Sequence, residues 1–172
     1  VLAPVAEEAT AGDGPRDAAK WIDDHCADLL ESGEAKLERT VMRCVLSAGM
    51  GNDEPDAKLA PKLCKQIERC AKLLQKCTAS TQSESKRLYK QANCLYEVQA
   101  FCAAQQWPSG LIKKLFYNLY ESDVVFEDAY GVWREDVNDD TPGKDKALFQ
   151  VNEFLQWLDE AAEEGEGDEE DA

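Results

Sequence analysis

The residues of this 172-residue chain that are best suited to chemistry are carboxylates interleaved with aromatic rings near its end. Residues 113–172 hold nineteen Asp and Glu against five Lys and Arg, a balance of −14 in a chain of net charge −16. At about 100° per residue, one side of a predicted helix over 144–164 carries Phe149, Glu153, Trp157, Glu160 and Glu164. Rings can hold the aliphatic stems of Lys or Arg while carboxylates meet their charged heads. The pattern therefore indicates docking of a cationic partner.

Two interpretations of Phe149 and Trp157 are open from sequence alone. Tryptophan is usually mostly buried, so both rings could pack against a neighbouring helix. Tryptophan is also enriched among interface residues that dominate binding, so both could face a partner. The opposite side of the same helix carries the residues that we expect to be buried: Leu148, Val151, Leu155, Leu158 and Ala162.

A second acidic segment precedes this helix. We expect a helix that opens near Ser122 or Asp123 as N-cap, with Trp133 in the core and Glu127 and Asp128 facing outward. Together, the two segments define the predicted partner-binding set, which consists of Glu127, Asp128, Phe149, Glu153, Trp157, Glu160, Glu163 and Glu164.

Catalysis finds little support in the sequence, and we expect no enzyme activity and no cofactor. There is no glycine-rich phosphate loop and no Gly-x-Ser-x-Gly, and the single histidine, His25, has no evident nucleophile beside it. The seven cysteines include no Cys-x-x-Cys pair, so we interpret them as small buried hydrophobes rather than as metal ligands.

The elements that must position these residues are helices throughout. Apolar residues recur at helical spacing over about 16–32, 35–48, 59–77 and 84–106, and again from Ser109 onward. No strand-period alternation stands out. Hairpins that begin near Arg16, Leu59 and Ser109 have the spacing of helix-pair solenoids. The predicted fold is all-α, a stack of antiparallel helical hairpins.

Composition predicts one domain over 16–164, a flexible linker over 1–15 and an acidic disordered tail over 165–172. The chain starts without Met, which suggests a piece of a longer protein. It has no run long enough for a membrane span and no signal sequence, so we expect a cytoplasmic protein.

One loop carries a separate motif. Asp53-Glu54-Pro55-Asp56, followed by Ala57, resembles the recognition pattern of executioner caspases, which cleave after the second Asp. The alternative is a solvated acidic turn, since short motifs match by chance.

The last third resembles the C-terminal HEAT-like W2 domain of the translation initiation factor four gamma family, which initiation factor five and the epsilon subunit of exchange factor two B share. The two aromatic and acidic boxes of that family match Leu115 to Asp136 and Val151 to Asp171. Asp145 departs from the small residue expected there. The resemblance rests on Asn118-Leu119-Tyr120, Glu127-Asp128-Ala129, Trp133, Pro142-Gly143-Lys144, residues 146–152 and Trp157-Leu158.

The resemblance implies a HEAT-like superhelix that docks proteins in a translation-initiation scaffold, in the branch associated with cap-independent translation. The implied partners are Lys-rich segments of the beta subunit of initiation factor two. In this branch the resemblance also implies Mnk-type kinases as partners. We expect a monomer that contacts neither membrane nor, given its charge, nucleic acid through this domain. The alternative is an acidic chaperone or nucleic-acid mimic that binds any cationic protein.

Overall fold

The computed structural model describes residues 14–32, 37–50, 58–79 and 82–167, with the side chains of 17, 25–32 and 162–167 outside that description. These residues contain seven α-helices and no strand, so the all-α prediction is confirmed for them. None of these helices combines the length and the apolar character that crossing a membrane would need. The helices are α1 (Gly14–Ser32), α2 (Leu37–Met50), α3 (Leu59–Thr78), α4 (Glu84–Ala104), α5 (Leu111–Glu121), α6 (Glu127–Glu135) and α7 (Lys144–Gly167).

The helices are arranged in two layers. In one layer α1 packs on α3, α3 on α5 and α5 on α7, and in the other α2 packs on α4 and α4 on α6. Neighbours in a layer run in the same direction. Asn118 of α5 donates to Glu68 of α3 at 2.9 Å, and Gln75, further along α3, donates at 2.9 Å to the Ser122 carbonyl just after α5. Each hairpin therefore stacks on the next, which is the HEAT-like arrangement expected from the sequence.

The helix ends differ from the predicted ends by a few residues. Gly14 and Pro15 belong to α1 rather than to a linker, and α7 continues through residues 165–167, which the sequence assigns to the tail. The N-cap of α4 is Ser83, whose hydroxyl accepts from the Lys86 N–H at 3.2 Å. A capping box that starts at Thr81 lies outside the described residues.

The predicted start of α6 is wrong by several residues. Ser122 follows the end of α5, and Asp123 takes a left-handed backbone conformation with φ +53°. Val124 and Val125 come next and are fully buried, so this turn inserts two apolar side chains into the core before α6 begins at Glu127. Helical periodicity cannot detect such a turn, because buried residues in a turn extend the apolar pattern of the helix that follows.

Of the six cysteines whose side chains the structure describes, four are buried in the core, as the sequence predicts. They are Cys70, Cys77, Cys94 and Cys102, while Cys44 and Cys64 are half-buried. Burial raises the pKa of the Cys102 thiol to about 12 and that of Cys94 well above its ordinary value. A thiol held protonated in this way is a poor nucleophile, which fits a packing role.

A polar network fixes the segment between α6 and α7. Gln99 of α4 is fully buried, and its amide N–H groups donate to the carbonyls of Thr141 (2.9 Å) and Pro142 (3.0 Å). Arg39 of α2 donates to Asp139 and to Glu97 of α4, both at 3.0 Å. Because these groups belong to α2 and α4, two neighbouring helices of one layer, they hold the connection that sets where α7 begins.

Two carboxylates of this segment make stability depend on pH. Hydrogen bonds from the Asn138 N–H and the Tyr96 hydroxyl lower the pKa of Asp136. Burial acts to raise the pKa of Asp139, but hydrogen bonds from Thr141 and the charge of Arg39 outweigh it, so that this pKa is also lowered.

We therefore expect acid to destabilise the domain through these two groups. Their folded pKa values lie below the unfolded value of about 3.9. Their contribution to the free energy of unfolding is therefore complete above that pH and is lost as pH falls through the folded pKa values. Thermal unfolding from pH 6 downward should show a shallower loss of Tm in Asp136→Asn and Asp139→Asn than in the parent chain. Asp145→Asn, at an exposed carboxylate outside the network, is the control and should keep the parent slope. Parallel slopes in all four proteins would contradict the assignment.

Candidate functional site: an aromatic groove and an acidic cleft

Helix α7 has the two different sides that its spacing predicts. Phe149 is 87% exposed and Trp157 is 42% exposed, and Glu153 and Glu160 also face solvent. The Trp157 indole still packs against α5, so each interpretation of this ring holds in part. The buried side consists of Ala147, Val151, Phe154, Leu155 and Leu158.

The buried side is centred differently from our prediction. Leu148, which we expected in the core, is half-buried, whereas Phe154, which we did not assign, is 3% exposed. The reason is that α7 packs on both α5 and α6, so a wider arc of the helix is covered than one apolar stripe. Ala162 lies outside the described side chains.

A groove of about 860 Å³ lies between α3, α5 and the exposed side of α7. We call it the aromatic groove. Tyr117 and Trp157 both contact Phe154, with ring centroids 6.2 and 6.0 Å away, and lie 6.0 Å from each other. Tyr120 supports Trp157 edge-on at 5.7 Å. The groove is lined by Ala60, Pro61, Cys64, Gly110, Lys113, Lys114, Tyr117, Asn118, Glu153, Phe154 and Trp157.

The charges that line the aromatic groove are mostly positive. Lys113 and Lys114 stand against a single carboxylate, Glu153. Lys113 donates to Glu153, which lowers the pKa of that carboxyl. The predicted rings and carboxylates on this side of α7 therefore lie beside lysines of α5. A helical projection of α7 could not show these lysines, because they belong to another helix.

The adjoining depression holds Phe149. It has a volume of about 910 Å³ and shares Gly110 and Glu153 with the aromatic groove. Trp107 and Lys146 contribute to its walls. Phe149 and Trp157 thus line neighbouring depressions on the same side of α7.

The carboxylates Glu127 and Asp128 lie elsewhere, in a smaller depression of about 170 Å³ between α6 and α7. We call it the acidic cleft. Its described charged residues are Glu127, Asp128, Arg134 and Asp159, and Arg134 donates to Asp159 at 2.9 Å. The structure therefore divides the predicted partner-binding set between two flanks of α7, because Asp159 and Trp157 are about 160° apart on the helix.

The remaining predicted residues lie outside the described part of the chain. They are the side chains of Glu163 and Glu164 and the caspase-like motif with Asp53 and Asp56. Cleavage after Asp56 stays a prediction.

Sequence reasoning missed Tyr117, Tyr120 and Phe154 as parts of the site. Helical spacing places Tyr117 on the outward side of α5 but does not show which residues it meets there. The available signal was the recurrence of aromatic residues on α5 and on α7, but their contact across 34 to 40 positions of sequence depends on how the two helices pack.

Comparison with known proteins now places this arrangement in a family. Residues 90–168, which include α5, α6, α7 and most of α4, match the family described as W2: eIF4-gamma/eIF5/eIF2-epsilon. The chain is also 33% identical to human eukaryotic translation initiation factor 4 gamma 2 over 161 residues, 91% of its length. The chain carries a W2 domain of the eIF4-gamma family. The W2 domain is thus the part that builds both the acidic cleft and the α5 and α7 walls of the aromatic groove.

Other relatives are similar over shorter stretches. Mouse eukaryotic translation initiation factor 4 gamma 1 is 36% identical over 95 residues, which are 55% of this chain and 6% of that protein. Human eukaryotic translation initiation factor 4 gamma 3 is 29% identical over 147 residues, 85% of this chain and 9% of that protein. This chain spans 18% of the length of the gamma 2 relative. The similarity therefore concerns a protein-interaction module of translation initiation, not the whole factors.

Proposed function

We propose that this W2 domain docks a basic protein segment in the acidic cleft, without catalysing a reaction, as part of a cytoplasmic translation-initiation scaffold. The partner is a Lys-rich segment of the beta subunit of initiation factor two. The observation that carries the proposal is the pair Glu127 and Asp128, which line the acidic cleft with no cation paired to them among the described residues.

Charge and position support this assignment. Arg134 in the cleft is engaged by Asp159, which leaves the two α6 carboxylates to meet an incoming cation. Exposed Glu160 lies between the Asp159 side and the Trp157 side of α7, so it extends the negative surface along the helix. Screening over about 10 Å at physiological salt makes such charges act mainly on the association rate and on partner choice.

The aromatic groove is a poorer site for the same partner. Two lysines line it, and they would repel the cations of a Lys-rich segment. We therefore assign Glu127, Asp128 and Glu160 to the basic partner, and we leave Phe149, Glu153 and Trp157 out of that contact.

Reversing one carboxylate of the cleft tests the proposal. Asp128→Lys should weaken binding of a labelled Lys-rich beta-subunit peptide by about tenfold, because it removes an attraction and adds a repulsion. It should also flatten the salt dependence of Kd. Fluorescence anisotropy across a salt series measures both effects.

The matched control is Asp145→Lys. Asp128 and Asp145 are each exposed second residues of their helices, so both reversals disturb a helix N-terminus alike. Asp145 lies ten residues before Leu155 of the cleft, about 15 Å along α7. Asp145→Lys should therefore leave the Kd of the beta-subunit peptide within about twofold of the parent value. Equal loss in both variants would reject the cleft as the binding site.

A peptide of the same composition in scrambled order separates docking from general acidity. The docking proposal expects the scrambled peptide to bind more weakly at raised salt. Equal binding would favour the acidic chaperone alternative, and binding of a Mnk-type kinase without the beta-subunit peptide would assign a different partner.

A further inference from the structure

A second surface of the domain, the aromatic groove, has chemistry opposite to that of the acidic cleft. Ala60 and Pro61 of α3 and the buried ring of Phe154 give it an apolar floor. Exposed apolar surface enclosed by polar residues marks sites of protein interaction. The groove is open and spans three helices, which suits a peptide better than a small molecule.

The rings of the groove are already held in place. Tyr117 is 46% exposed and Trp157 42%, yet each packs against Phe154 and against the other. Side chains that are ordered before binding lose little further conformational entropy when a partner arrives. Two large rings in this state are therefore suited to act as anchors.

The charge at the groove selects the partner. Lys114 is exposed and has no carboxylate partner among the described residues. Lys113 pairs with Glu153, but that pair is largely exposed, and exposed ion pairs contribute at most about 1 kcal/mol. Both ammonium groups are thus accessible to an incoming carboxylate at little cost.

We infer that the aromatic groove docks an acidic amphipathic segment of a second protein. Its apolar residues contact Pro61, Tyr117 and Trp157, and its carboxylates contact Lys113 and Lys114. A helix with apolar anchors spaced three or four residues apart fits such a groove. This surface is separate from the acidic cleft, so the domain can hold a basic and an acidic segment at the same time.

Single-stranded RNA is the competing ligand for rings beside lysines. Base stacking needs accessible ring faces, whereas Phe154 is buried and stacks on Trp157 at an interplanar angle of 27°. The chain also has a net charge of −16, which opposes binding of a phosphate backbone. The observations therefore favour a protein segment.

The test uses the full chain and two labelled peptides. One is an amphipathic helix former with leucine and phenylalanine on one side and glutamate on the other, and the second has every glutamate replaced by lysine. Anisotropy should show saturable binding of the acidic peptide. The lysine peptide should bind the acidic cleft instead and leave the amides of the aromatic groove unshifted. Amide shifts in NMR spectra should report the groove residues Cys64, Tyr117 and Trp157.

Variants locate the contact. Lys114→Glu should weaken binding of the acidic peptide by about tenfold. Lys72→Glu should change the Kd of that peptide by less than about twofold, because Lys72 is exposed on α3 about 12 Å beyond Cys64. Tyr117→Ala should also weaken it by about tenfold, since exposed rings of this kind dominate interfaces. All three positions are at least partly exposed, and circular dichroism should show that each variant keeps the parent helicity.

Several outcomes would overturn the inference. The first is a failure of the acidic peptide to bind saturably, and the second is an equal effect of Lys114→Glu and Lys72→Glu on its Kd. The third is displacement of the acidic peptide by a single-stranded RNA that shifts the same amides. Asp128→Lys separates this inference from the proposed function, because it should weaken only the beta-subunit peptide.

Discussion

Trp133→Ala should destabilise the domain by about 4 kcal/mol, within the range measured when a buried tryptophan is truncated. Trp133 is fully buried in α6, and its ring meets Phe116 edge-on with centroids 5.0 Å apart. The indole N–H donates to the Gln99 side-chain oxygen at 3.1 Å. The Lys144 ammonium lies 4.1 Å from the ring centroid. Alanine removes all three contacts and leaves a cavity, and urea unfolding followed by circular dichroism measures the loss.

Trp133→Phe divides this loss into two parts. Phenylalanine keeps much of the apolar volume but has no N–H, so the buried oxygen of Gln99 loses its donor, a cost of about 1 to 3 kcal/mol. We expect its stability to lie between those of the parent and of Trp133→Ala. If Trp133→Ala costs less than about 1 kcal/mol, the ring is not the core residue described here.

The burial of Trp133 was predictable because helical spacing records which side of a helix faces inward. The same rule puts Leu111, Ile112, Leu115, Phe116 and Leu119 on one side of α5, and all five are buried. Spacing also placed Phe149 and Trp157 on one side of α7, but it left open whether that side is exposed or packed against another helix. Within one helix, the sequence therefore indicates which residues share a side, whereas the width of the buried side, as at Leu148 and Phe154 of α7, depends on packing.

What lies opposite an exposed residue cannot be predicted in this way. Lys113 and Glu153 are 40 positions apart and meet only because α5 and α7 run side by side. Glu127 and Trp157 belong to one predicted set, yet the packing of α6 and α5 on different flanks of α7 separates them. The charge of the aromatic groove was therefore invisible to an argument made one helix at a time.

The connection between α6 and α7 sets this separation, and Gly143 is its most constrained residue. Gly143 has φ +81°, which disfavours any residue with a Cβ, and an added Cβ would lie 2.2 Å from Cζ2 of Trp107. A strained backbone costs about 1 to 3 kcal/mol and overpacking about as much again. Gly143→Ala should thus lose about 3 kcal/mol or more in urea unfolding. Because the Ala147 N–H bonds to the Gly143 carbonyl at the start of α7, we expect weaker binding of both peptides as well.

Gly110→Ala is the matched control for this effect. Gly110 has a similar φ of +68°, but an added Cβ would meet no atom within 4 Å, so only the backbone cost of about 1 to 2 kcal/mol applies. The difference between the two variants isolates the clash with Trp107. Trp107→Ala should then cost less in the Gly143→Ala background than in the parent, because it removes the atom that the new methyl group meets. Equal losses in Gly143→Ala and Gly110→Ala, with no coupling to Trp107, would mean that the indole does not fix this turn and that α7 is positioned by its helix contacts alone.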